Sequence, residues 1–167
     1  MTTRARFEVT SGMGHAEPGA MNEVAMASTT TEENKQLARR AVDGFNEKNL
    51  AVVDELFAED VIDRTPSGET NGRDGPKAGL RTLYGAFPDL EISIDELIAE
   101  GDTVALRSTH RGTHEGPFMD IEPTGKQVEI TNMVFARFED GKVVERWVQA
   151  DVLGLMGQLG AVDPPKE

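Results

Sequence analysis

Apolar residues recur with helical spacing in the first half of the chain and alternate in the second. Leu37, Ala41 and Phe45 repeat every four positions, flanked by Ala38 and Val42, which predicts one buried helical stripe. Thr30-Thr31-Glu32-Glu33 reads as a capping box that starts this helix, the Thr30 hydroxyl and the Glu33 carboxylate each covering an orphan amide. Asn49 is placed to cap a second, short helix carrying Val52, Val53, Leu56 and Phe57. Residues 61–64 read as a strand fragment ended by Pro66. The turn at 72–76 leads into a third helix with Leu80, Leu83, Tyr84 and Phe87 on its apolar face, stopped by Pro88.

From Leu90 onward the period becomes two. Ile92 and Ile94 alternate with polar residues, and 103–114, 126–139 and 142–150 read as further strands. Asp140-Gly141 between the last two is a strong tight-hairpin signal. Asp151 is placed to cap a final helix that runs through Leu159 and ends at Gly160. Helices followed by a meander of strands predict an α+β domain, a curved antiparallel sheet with its helices gathered on one face.

Residues 1–30 show no such periodicity and are broken by Gly12, Gly14, Pro18 and Gly19, so we expect a disordered N-terminal arm, a domain over 31–160 and a tail over 161–167. The arm lacks the apolar run of a secretory signal, and no stretch reaches the ~20 apolar residues of a membrane span. A cytoplasmic protein is expected.

Charge narrows the partners. With 17 Lys and Arg against 30 Asp and Glu, the net charge of −13 disfavours nucleic acid and anionic membranes, which both require a basic face. Cysteine is absent, which excludes disulfides, thiolate nucleophiles and cysteine-based zinc sites. Three histidines scattered at 15, 110 and 114 make a multi-histidine metal site hard to build.

The strand faces carry the candidate chemistry. Val128, Ile130, Asn132, Val134, Ala136 and Phe138 share one face, so Asn132 interrupts a row that should turn toward the helices. An amide buried there without partners costs about 1–3 kcal/mol, so Asn132 either has a protein partner or faces a ligand. Val104, Leu106, Ser108 and His110 share a face with a similar intrusion. In the last strand Arg146 shares a face with Val148 and Ala150, opposite Trp147, and needs a carboxylate or a ligand oxygen. Asp63 is the candidate carboxylate, either for proton transfer or for a structural ion pair.

Several segments together resemble a known family. They are Arg40 to Asn46 (RAVDGFN), Gly112-Thr113-His114-Glu115-Gly116, Pro123-Thr124-Gly125-Lys126, Asp140 to Trp147 (DGKVVERW) and Gln158-Leu159-Gly160. In this order, over residues 33–160, the chain resembles the SnoaL-like polyketide cyclases, or ester cyclases, of the nuclear transport factor 2-like superfamily. The resemblance implies a cone-shaped α+β barrel, a curved antiparallel sheet packed on N-terminal helices around a hydrophobic pocket. It also implies a homodimer or larger homo-oligomer built through the sheet's outer face, with no metal or organic cofactor. Its best understood members close a ring by intramolecular aldol condensation, with an aspartate as acid/base. Laid on that pattern, the aspartate falls on Val148 and its companion histidine on Val134.

The expectation is therefore cofactor-free acid/base chemistry on a small hydrophobic carbonyl compound, with the acid/base relocated. Asp63 and His110 are the proton-moving candidates. Asn132 and Arg146 would bind oxygens, and Tyr84, Trp147, Val134 and Val148 would line the pocket. On this reading Asp63→Asn abolishes turnover and leaves the melting temperature nearly unchanged. The alternative is a non-catalytic small-molecule-binding module on the same fold.

Overall fold

In a computed structural model that describes residues 18–163, with side chains described from residue 30, two helices open the chain. They are α1 (Pro18–Asn46) and α2 (Ala51–Leu56), followed by β1 (Phe57–Thr65), β2 (Gly68–Asn71) and α3 (Asp74–Ala86). The meander β3 (Glu91–Glu100), β4 (Thr103–Thr113), β5 (Gln127–Glu139) and β6 (Lys142–Ala150) then leads to α4 (Val152–Leu159). The six strands form one curved, unclosed sheet in the order β2-β1-β6-β5-β4-β3. Neighbours are antiparallel except β1 and β6, which run parallel.

Local chemistry explains most of the boundaries. Asn49 Oδ1 accepts from the Ala51 amide at the start of α2. Asp151 accepts from the Gly154 amide at 2.8 Å, and Gly160 closes α4 in the left-handed region at φ 79°. Asp140 and Gly141, both at positive φ, turn β5 into β6 as a two-residue hairpin.

Structure and sequence reading differ at four places. α1 begins at Pro18, so the Thr30–Glu33 box lies inside a helix rather than starting one. The expected arm and tail fall partly on residues 1–17 and 164–167, which lie outside the described residues, while 18–30 are helical. The fragment at 61–64 is part of a nine-residue strand that starts at Phe57, because the chain pairs with β2 on one side and β6 on the other. Finally, a register shift at Arg137/Phe138 turns Val143 inward to 4% exposure, although strict alternation along β6 places it on the face opposite Arg146.

The apolar core has two parts. The larger gathers Phe45, Val52, Val53, Phe57, Val104 and Phe138, with α1 and α2 against the sheet. The smaller joins Ala86, Phe87, Val128, Leu155 and Leu159 beneath α3 and α4. On β5 the two are represented by Phe138 and Ala136 at one end and Val128 at the other, so Asn132 falls between them. The segment after β4 is held to the end of α3, where Glu115 and Gly116 both donate to the Ala86 carbonyl. A Cβ on Gly116 would lie 2.0 Å from the Gly85 carbonyl oxygen. Gly116→Ala should therefore lower stability by about 1–3 kcal/mol, the usual scale of overpacking, read as a lower urea midpoint with an unchanged slope.

Candidate functional site on the concave face

The concave face of the sheet carries two polar groups separated by apolar residues. At one end, the parallel pairing of β1 and β6 sets Asp63 beside Arg146. Arg146 Nε donates to Asp63 Oδ1 at 2.7 Å and Nη2 to Oδ2 at 2.8 Å, a fork-to-fork pair. The Asp63 side chain is 3% exposed and that of Arg146 15%, and the guanidinium also lies over the Phe57 ring at 5.3 Å. Both carboxylate oxygens thus face a cation, whereas Nη1 of Arg146 has no hydrogen-bond partner among the described residues.

The second group is built from β4 and β5. Ser108 pairs with Asn132 across the sheet, and His110 stands two residues farther along the same face. His110 Nε2 is 3.2 Å from Ser108 Oγ and 3.4 Å from Asn132 Nδ2. Burial pushes the His110 pKa down from 6.5 to about 4, so the ring is neutral at pH 7. Ser108 is 1% exposed and Asn132 8%. Asn132 Oδ1 is sealed from solvent with no hydrogen-bond partner among the described residues. Its neighbours along β5, Ile130 and Val134, and across the sheet on β6, Ala150, supply no side-chain donor.

Val134 pairs with Val148 and with Leu106, and this row lies between the two polar groups. Arg146 and Ala150 bracket it on β6, four residues or about 13 Å apart along the strand. Asp63 and Arg146 are therefore brought together, as are His110 and Asn132, but no hydrogen bond links one pair to the other. The row itself is half-buried, with α1 packed on β3 and β4 and α4 packed on β5.

The two expected aromatic walls are engaged elsewhere. Trp147 lies on the convex face, paired with Phe135 and 41% exposed, with the Arg64 guanidinium over its ring at 4.9 Å. Alternation along β6 dictates this, since Trp147 adjoins the inward-facing Arg146. Tyr84 packs against the larger core and donates its hydroxyl to the Phe45 carbonyl at 2.8 Å, and burial raises its pKa. Ser108 was not singled out as a site residue; its place between Leu106 and His110 on an inward face was the available signal.

A separate cleft of about 380 Å³ lies at the end of the sheet, lined by residues that include Asp89, Glu91, Arg111, Thr113 and Glu129. Its charges are largely satisfied: Arg111 pairs with Glu129 at 2.7 Å, and Asp89 accepts from the Thr113 amide and hydroxyl at 2.6 Å each. These contacts hold the Asp89 carboxyl below the ordinary carboxylate range. This polar cleft is not the apolar pocket that the strand faces predict. Among the described residues no group of three or more His, Cys, Asp or Glu side chains is placed to hold a metal ion, and no helix is long and apolar enough to cross a membrane.

Helices on the concave side of a six-stranded sheet, with polar side chains set into an apolar interior, define a nuclear transport factor 2-like fold. An NTF2-like protein from Burkholderia pseudomallei shares it at a TM-score of 0.65 and 21% identity, over 76% of this chain and 97% of that one. The family model for SnoaL-like polyketide cyclase matches residues 35–159, and the chain belongs to that family. AclR from Streptomyces galilaeus, described as a candidate hydroxylase, aligns with a TM-score of 0.74 at 32% identity, over 82% of this chain and 87% of its own. Wild-type IdmH from Streptomyces antibioticus, a candidate polyketide cyclase, aligns with a TM-score of 0.69 at 29% identity, over 76% of this chain and 98% of its own. No curated protein sequence matches the chain.

Proposed function

We propose that the protein binds a small hydrophobic carbonyl compound on its concave face and promotes cofactor-independent proton transfer on it. The observation that carries this reading is the half-buried, neutral His110 held by the buried Ser108 and Asn132 in an otherwise apolar face, beside an amide oxygen with no partner among the described residues. An unpaired amide oxygen in such a face calls for a partner, and a bound ligand with a hydroxyl would supply one. Half-buried Leu106, Val134 and Val148 would carry the apolar body of the ligand. Arg146, oriented by Asp63 and retaining unpaired Nη1 hydrogens, would meet a second oxygen at the far end.

In the reaction so read, a proton passes from the carbon next to the carbonyl to solvent water or a buffer base, and the developing negative charge on the carbonyl oxygen is met by the His110 N–H. A general probe is hydrogen–deuterium exchange at the activated methylene of 2-tetralone in D2O, followed by NMR. The wild type should accelerate exchange, and His110→Leu should remove at least about a hundredfold of that acceleration. No acceleration by folded wild-type protein that binds 2-tetralone would overturn proton transfer and leave the binding module. Two observations favour that second reading: Val134 and Val148, at the centre of the face, cannot move a proton, and both oxygens of Asp63 are taken by Arg146.

The convex face supports self-association. Ile98, Ala105, Phe135 and Trp147 pair in sequence across β3, β4, β5 and β6, and Ile98, Phe135 and Trp147 are 60%, 55% and 41% exposed. A continuous apolar row of this length is unusual on a lone subunit. Light scattering should give twice the 18.2 kDa chain mass for the wild type, and Phe135→Glu should give the monomer. A monomeric wild type at micromolar concentration would contradict the pairing.

A further inference from the structure

We propose that Ser108 is a positioning residue that, with Asn132, fixes the proton of His110 on Nδ1, so that the imidazole meets a ligand as a hydrogen-bond donor rather than as a base. The proposal rests on the concave face being the ligand site. An amide nitrogen can only donate, so the nitrogen it faces must carry a lone pair. Asn132 Nδ2 lies 3.4 Å from His110 Nε2, and the Ser108 hydroxyl, which can donate or accept, is 3.2 Å from the same atom. With Nε2 bare and the ring neutral, the single N–H is on Nδ1. Nδ1 has no protein partner among the described residues and is not sealed from solvent.

The opposite arrangement is chemically complete but costs more. Rotating the Asn132 amide would point Oδ1 at His110, require Nε2–H, and leave Nδ1 as a bare base. It would also bury the amide NH2 where only an oxygen is now unpaired, and buried unpaired donors are rarer than under-satisfied carbonyl oxygens. Ile130, Val134 and Ala150 around the amide offer no acceptor side chain to that NH2. The observed arrangement therefore presents one donor, His110 Nδ1–H, and one acceptor, Asn132 Oδ1. A ligand that offers an oxygen to the first and a hydroxyl hydrogen to the second completes the site. Ser108 matters because it adds a second hydrogen to the Nε2 lone pair.

Long-range proton–nitrogen NMR of 15N-labelled full-length protein at pH 7 reads the two tautomers directly, with His110→Leu assigning the signal. Wild-type His110 should show a protonated Nδ1 and a bare Nε2, in excess of about tenfold over the other tautomer. Ser108→Ala should bring the two within about threefold, and Ser108→Thr should restore the excess. A wild-type ring protonated on Nε2 would overturn the proposal, and that spectrum decides even where a variant fails to fold. An unchanged tautomer ratio in folded Ser108→Ala would remove Ser108 from the role. The measurement needs no turnover, so an inert protein with the expected tautomer would overturn only the proton-transfer reading.

Discussion

Asp63→Ala should destabilise the fold by about 3–5 kcal/mol, the cost of leaving one member of a buried ion pair without its partner. Arg146 is held on both sides, by the two oxygens of Asp63 and by the Phe57 ring, and it is 15% exposed. Removing the carboxylate leaves the guanidinium over the Phe57 ring of the larger core with no counter-charge. The double variant Asp63→Leu/Arg146→Met removes both charges and should recover most of the loss, because a paired charge in such a place contributes little net stability. Urea unfolding of wild type, Asp63→Leu, Arg146→Met and the double variant, with Asp63→Ala alongside, measures this. Single variants within 1 kcal/mol of wild type would show that the pair is hydrated rather than buried. The geometry also revises one expectation from the sequence: Asp63→Asn alters the fork-to-fork ion pair that joins β1 to β6, so its melting temperature should fall.

Acid should act on the fold through His110. Its folded pKa of about 4 lies below the ordinary 6.5, so between these values the unfolded chain takes up the proton first. The stabilisation is fully present above pH 6.5 and is lost as pH falls toward 4. A difference of two to three units corresponds to about 3 kcal/mol. His110→Gln has no such proton to take up, so wild type and variant should converge or cross in stability between pH 7 and pH 4. The comparison isolates His110 from carboxylates that titrate in the same range. Parallel stability curves for the two proteins would mean that the ring is solvated.

The elements legible in the sequence were those whose cause is local. The apolar stripe of α1, the Asp140-Gly141 hairpin and the Asp151 cap each depend on residues a few positions apart. What was illegible depends on distant partners. Strand β1 exists because β6 lies beside it in parallel, and a chain cannot show that eighty residues away. The inward turn of Val143 needs a register shift that alternation cannot express.

The site divides in the same way. Alternation put Asn132, Arg146, Val134 and Val148 on the inner face, and the resemblance suggested which of them matter. The pairing of Asp63 with Arg146 could be named as a possibility but not established without the β1–β6 register. Ser108 escaped notice because a serine in a strand has no distinctive pattern; only its distance to His110 reveals it. Trp147 was drawn toward the pocket by its chemistry, although its own parity sets it on the convex face beside Phe135.

On the proposed function, ligands are met on the concave face around Ser108, His110 and Asn132. Titrating 15N,13C-labelled protein with 2-tetralone and following amide and methyl shifts tests it most directly. Perturbations centred on Ser108, His110, Asn132, Val134 and Val148 are the expected result. Shifts confined to the Arg111–Glu129 cleft or to the Phe135–Trp147 row, or none at the solubility limit of the probe, would contradict it.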